Sequence, residues 1–284
     1  MSTHILQAIA DISQHNAPFY TDELTTYNSI RIRILGINPG SFEDPLCCRL
    51  RSLAIPKHLG FGALSYAWGS EAGEQEITIN DQPGFKVTTS VAGALRRLRH
   101  HDRVRCLWVD AICVNQANTR ERSQQVALMA EIFSSAELVY VWLGECTGTA
   151  TNFRKVELED REICRVHVVE WDGTFRQAVP TMAAVATSAA LCEVRSGRWQ
   201  WWWRTWAVQE VGLGRKVAVM IGPHQFSWQK AREALSHCWT QAMSNWLAQQ
   251  RLHSIVRRII NLSRSTQFEQ SEAGSLITFD IFLT

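Results

Sequence analysis

LWVDAICVNQANTRERSQQVALMAEIFSSAELVYVWLGE, Leu107 to Glu145, is the stretch on which the fold turns. With Cys106 it opens as CLWVDAI, a short apolar run of buried-strand character, and closes as LVYVWLG (Leu138 to Gly144), a second such run. Between them Asn118 is placed to cap a helix, and Glu121, three residues on, completes a capping-box pattern. Val126, Met129, Ala130 and Phe133 supply that helix with an apolar stripe. Strand, helix, strand with no hairpin turn between them is the signature of a parallel crossover.

Working outward, the same rhythm continues. GALSYAW (Gly62 to Trp68) reads as a strand stopped by Gly69, and KVAVMIG (Lys216 to Gly222) as another. SIRIRILGI (Ser29 to Ile37) alternates isoleucine with arginine, which predicts a half-buried strand with Arg31 and Arg33 outward. NPGSFEDP is turn-rich, and ITIN and FKVT flanking DQPG predict a hairpin near Ile77 to Thr88. SVAGALRRLRHH predicts a helix with Val91, Leu95 and Leu98 on one face and basic residues at its C-terminal end. Residues 1–28 read as a polar lead-in. Residues 29–222 read as an α/β domain with a mainly parallel sheet, interrupted by an insertion at about 146–198. Residues 223–284 read as a helical extension that starts at a Ser227 N-cap, its apolar ending suggesting a chain that stops short of a longer protein's end.

Composition narrows the classes. The 284 residues suffice for a sizeable core, and 46% hydrophobic with 20% charged argues against global disorder. A formal charge of +2 gives no pull toward nucleic acid or anionic membrane. The basic run RRLRHHDRVR is read as a helix's charged end, and no apolar stretch is long enough to span a bilayer. No secretory signal is read at the N-terminus, and eight scattered cysteines without CxxC fit a reducing cytoplasm. The nine histidines form no ligand-spaced cluster, so no metal is expected. GFG at Gly60 to Gly62 opens no helix and is no dinucleotide fingerprint, and GLGR at Gly212 to Arg215 reads as a helix C-cap.

RWQWWWRTWAVQE, Arg198 to Glu210, gathers five of the twelve tryptophans beside one carboxylate. On a helix, Trp203 and Trp206 share a face with Glu210 and Trp201 points away. A carboxylate on an aromatic face is desolvated and suits a group that meets developing positive charge. The alternative is that the tryptophans are core and Glu210 pairs with Arg204 or Arg215.

Three blocks, ALSYAWG (Ala63 to Gly69), Leu107 to Glu145, and RTWAVQE (Arg204 to Glu210), together resemble the heterokaryon-incompatibility (HET) domain of filamentous fungi. IRILGINPGSFEDPLCCRL also looks like the segment that commonly precedes that domain. The resemblance covers roughly Ile30 to Gly222. It implies a cytoplasmic effector of nonself recognition that triggers programmed cell death, through self-association or another incompatibility protein. HET domains are in turn similar in fold to Toll/interleukin-receptor (TIR) domains, an α/β flavodoxin-like architecture. Some of those cleave NAD at the nicotinamide–ribose bond with a helical glutamate. The resemblance thus implies NAD as a substrate, with no permanently bound cofactor, and Glu210 as the catalytic candidate. The other class of function it leaves open is a non-enzymatic signalling module acting by assembly.

Around that carboxylate, Asp110 ends a strand where ligands bind in open α/β sheets, and is a candidate for a ribose hydroxyl or for a loop amide. Tyr66 or Trp68 offers a ring to stack on a base, and Gly69 the turn that follows them. Asn115 and Gln116 read equally as amide ligands or loop organisers. Arg120, at a helix N-terminus, reads as a phosphate contact or a solvated surface residue. Glu121 is explained by capping, and Cys113 by burial.

Overall fold

In the computed structural model, the described residues are 3–22, 24, 31–54, 60–68, 73–145, 201, 204–229 and 231. The expected insertion and the expected C-terminal helices beyond Ala231 lie outside them, as does Gly69. Nine strands form one sheet: β1 (Arg31–Ile37), β2 (Cys47–Ala54), β3 (Gly62–Tyr66), β4 (Glu74–Ile79), β5 (Gln82–Thr88), β6 (Arg105–Trp108), β7 (Leu138–Trp142), β8 (Val217–Ile221) and β9 (His224–Ser227). Across the sheet they run β5-β4-β2-β1-β6-β3-β7-β8-β9. The described helices are α1 (Thr3–Asn16), α2 (Thr89–Leu98), α3 (Asp110–Cys113), α4 (Thr119–Ala127), α5 (Met129–Ser135) and α6 (Thr205–Gly212).

The protein is α/β, as expected, but its sheet is mixed. Only β6, β3, β7 and β8 form a continuous parallel block. In that block the first strand in the chain, β3, lies between the second and the third, so the chain steps outward from β3 in both directions. β1 and β2 join as an antiparallel pair beside β6, and hairpins finish both edges. β2 and β9 were not legible as strands, because CCRLRSLA and HQFS carry no clean alternation of apolar and polar residues.

Local chemistry accounts for the elements and for several departures. Every residue of β3 is buried, as a central parallel strand requires. Its Gly62 is forced by packing, since a Cβ there would lie 2.5 Å from Tyr140 Cε2. The hairpin turns at Asn80 and Asp81, both with positive φ, rather than at DQPG, because these residues tolerate the left-handed conformation that a tight hairpin needs. Thr88 caps α2 by accepting from Val91 N, and Val91, Leu95 and Leu98 are buried, as the periodicity predicts.

Three expectations fail on tertiary grounds. Arg33 does not face outward. It is 3% exposed and held by Glu121, so β1 is buried on both faces. The helix after Asn118 is two helices that part at Leu128, which leaves Val126 and Ala130 outside and buries Ile132 and Phe133 instead. The lead-in is not mere polar tail: α1 and the 3-10 turn Ala17–Phe19 pack beside β5, where Phe19 and Tyr20 meet the Phe85 ring edge-on.

Candidate functional site at the carboxyl end of β3

The last two residues of β3 point to opposite faces of the sheet, and each builds one half of the site. On the α6 side, Ser65 Oγ donates to Glu210 Oε2 and accepts the indole N–H of Trp201 at 2.8 Å. Arg204, the N-cap of α6, reaches the Glu210 carboxylate at 3.1 and 3.4 Å and donates to the Tyr66 carbonyl. Glu210 is 3% exposed, packed beside Trp201, Ala207 and Val211 in a small apolar cluster between α6 and the sheet. Burial pushes its carboxyl above the usual range. Arg204 and the Ser65 hydroxyl pull it back, and Asp110 adds to the rise.

The helix does not place the tryptophans as its periodicity predicts. α6 begins only at Thr205, with Arg204 extended, so Trp201 lies before the helix and turns inward. Trp206, expected beside Glu210, is 46% exposed. Trp203 lies outside the described residues.

On the other side of β3, Tyr66 is fully enclosed and Trp68 is half-buried. The Trp68 indole donates to Asp110 Oδ2 at 2.6 Å, and Ala111 N donates to Asp110 Oδ1 at 2.8 Å. Burial raises the Asp110 carboxyl, with Arg204 the strongest opposing influence, so one guanidinium serves two carboxylates. The Tyr66 phenol is pushed well up by burial, Asp110 adding to it, yet its hydroxyl makes no hydrogen bond of ordinary geometry among the described residues. Gln116 Nε2 donates to the Asp110 carbonyl at 2.9 Å, tying down the loop after α3. Tyr66, Trp68 and Gln116 line a cleft under α1 of about 30 Å³, room for a water and not for a nucleotide.

Of the sequence candidates, Glu210, Asp110, Tyr66, Trp68 and Gln116 therefore converge. Asn115 stands one step back as a loop organiser, its side chain accepting from Ala117 N at 3.2 Å. Arg120 is exposed on α4, with no contact to the cluster among the described residues, so it joins no phosphate site there. Glu121 caps nothing with its side chain. It holds Arg33 at 2.5 Å and accepts from Asn115 N at 2.7 Å, because a buried arginine outweighs a solvated capping contact. Cys113 is buried, and burial pushes its thiol up to about 12, which leaves it protonated and unreactive. Sequence reasoning passed over Ser65. The signal was its parity: it alternates with Tyr66 and is the one polar side chain in an apolar parallel strand. Among the described residues, no group of three or more His, Cys, Asp or Glu is arranged to hold a metal, and no helix is long and apolar enough to cross a membrane.

Comparison with known proteins follows the same boundaries. No solved structure matches. A segment of 146 residues, 47% of the chain, is 37% identical to Heterokaryon incompatibility protein 6, OR allele, of Neurospora crassa, and spans 22% of that relative's length. Residues 61–210 match the family described as Heterokaryon incompatibility protein (HET). That match runs from the entry of β3 to Glu210 itself, the strand and the carboxylate that the geometry brings together, and the chain belongs to the heterokaryon incompatibility family.

Proposed function

We propose that the chain supplies the HET module of a fungal nonself-recognition effector, which sets off programmed cell death when incompatible cells fuse. Membership of the family and the similarity to an incompatibility protein support the biological role. The order of the four parallel strands, second-first-third-fourth, is that of a flavodoxin-like sheet and supports the likeness to TIR domains. In such sheets ligands bind outside the carboxyl ends of the strands where the order reverses, and Glu210 meets the chain there, at the end of β3.

The activity we propose is hydrolysis of NAD at the nicotinamide–ribose bond. Water adds at the ribose carbon, nicotinamide leaves as a neutral base with the bonding electrons, and one proton is released. A desolvated carboxylate at Glu210 would oppose the positive charge that develops on the ribose as that bond lengthens. Arg204 neutralises that carboxylate in the resting arrangement, so the reaction requires Arg204 to withdraw from Oε1 and Oε2. The position of Glu210 carries this reading.

One observation favours a second reading, a module that signals by self-association or recruitment without chemistry. Glu210 is closed off by Arg204, Ser65 and Trp201, with no nucleotide-sized space beside it among the described residues. Nicotinamide release from NAD by the purified chain, at low and high protein concentration and beside folded Glu210→Gln, separates the two. Release that depends on Glu210 supports the hydrolase. A well-folded, self-associated protein that releases none leaves the assembly module.

A further inference from the structure

The cleft on the Tyr66 side differs from the Glu210 side in what closes it. Its roof is α1, through Ile9, Ile12, Ser13 and Asn16, and its floor is Tyr66, Trp68, Val87, Thr88, Ala111 and Gln116. α1 docks lightly. Among its described side chains only Asn16 is buried, while Ile9 and Ile12 remain half-exposed and take no part in the main core. The Ser13 hydroxyl bonds back to its own helix at the Ile9 carbonyl. The roof therefore gives the polar floor nothing, and the Tyr66 hydroxyl stays unpaired in a buried position, a costly arrangement for a natural interior.

What holds α1 is its last turn. Asn16 donates to the Lys86 carbonyl at 2.7 Å and accepts from Lys86 N at 2.9 Å, matching the outward edge of β5 as a neighbouring peptide would. His15 Nε2 lies 2.9 Å from the Gly84 carbonyl. Just beyond, the chain is anchored independently: Phe19 and Tyr20 pack on the core, and the Tyr20 hydroxyl donates to the Ile112 carbonyl at 3.1 Å. A lightly seated helix, a two-bond clip and a separate anchor make α1 a displaceable cover.

We infer that the cleft beneath α1 is a binding site for a planar heteroaromatic ring bearing a primary carboxamide, admitted when α1 lifts. The floor specifies that chemistry. The Tyr66 hydroxyl supplies a donor for the amide oxygen. Gln116 has spent its amino group on the Asp110 carbonyl, and its side-chain oxygen, with no bond among the described residues, supplies an acceptor for the amide N–H. Trp68, fixed by Asp110, and Tyr20 offer aromatic faces. Charged ligands are disfavoured: the one ammonium in the lining, Lys86, is paired with Glu74 at 3.0 Å. Withdrawing Ile9 and Ile12 vacates about the volume of such a ring, where the covered cleft admits only water. The inference extends the NAD reading, because nicotinamide carries this group, but the cleft's chemistry stands without any cleavage.

The test uses the full chain and nicotinamide itself as the probe, with calorimetric titration for binding and hydrogen exchange for the state of α1. Asn16→Ala removes the clip. Ile9→Glu with Ile12→Glu expels the roof without touching floor or clip, and covers the case in which Asn16→Ala folds poorly. The expected result is faster exchange across α1 in both variants and at least about tenfold tighter nicotinamide binding than in the unaltered chain. In either variant, Tyr66→Phe should weaken binding by roughly five- to tenfold. If α1 stays protected in both variants, the cover is not displaceable and the inference fails. It fails equally if α1 opens and nicotinamide does not bind, or binds as well without the Tyr66 hydroxyl. Nicotinamide binding without NAD cleavage would keep the cleft and remove the hydrolase.

Discussion

Ser65 and Tyr66 are neighbours on one strand and equally buried, yet the two sides of the sheet they face are closed by different means. The Ser65 side is locked by charge and hydrogen bonds: a carboxylate, a guanidinium, an indole N–H and a hydroxyl satisfy one another in an apolar shell. The Tyr66 side is only covered, by a half-exposed helix that leaves a hydroxyl unpaired. A polar network costs dearly to break once any member is removed, whereas an apolar cover can lift at the expense of its own contacts. The difference assigns rigidity to α6 and mobility to α1.

The largest expected effect lies on the locked side. Glu210→Ala strands the Arg204 guanidinium and should cost about 3–5 kcal/mol in urea denaturation, whereas Glu210→Gln, which keeps a hydrogen-bonding oxygen, should cost clearly less. Equal losses would mean that shape and not charge closes this side. Ser65→Ala is expected next, at about 1–3 kcal/mol, because it leaves both the Trp201 indole and the Glu210 carboxylate short of a partner. The mirror change sharpens the contrast. Tyr66→Phe removes a hydroxyl with no partner and should lie within about 0.5 kcal/mol of the unaltered protein by the same measurement, or slightly above it.

Acidity gives an independent handle. The folded carboxyls of Glu210 and Asp110 are raised by burial, so between their unfolded and folded pKa values the native state holds more protons than the unfolded chain. Stability from this source is full below the unfolded carboxylate range and is lost as pH rises through the folded values. Thermal melting against pH should therefore show that decline, and Glu210→Gln should flatten it. An identical profile in the variant would place the effect elsewhere.

How much of this the sequence disclosed follows from the range of the forces involved. The parallel strands and the capped helices were legible because their signals are local: GALSY, LVYVW and VAVMI are continuous apolar runs, and Asn118 and Thr88 bond within their own turns. Glu210, Asp110, Tyr66, Trp68 and Gln116 were nameable because they sit at strand ends or beside one. What was illegible is long-range. Nothing near Arg33 announces that Glu121 lies against it, and the period of RWQWWWRTWAVQE misplaces Trp201 because the helix starts after Arg204. β2 and β9 owe their extended form to strands already beside them rather than to their own pattern.

Native-state hydrogen exchange on the full chain tests the contrast most directly, by comparing the amides of α6 with those of α1. The account predicts that α6 and β3 exchange only near global unfolding, while α1 exchanges at least tenfold faster through local opening (roughly). Equal protection of the two helices, or an α6 that opens first, would contradict the division between a locked face and a covered one.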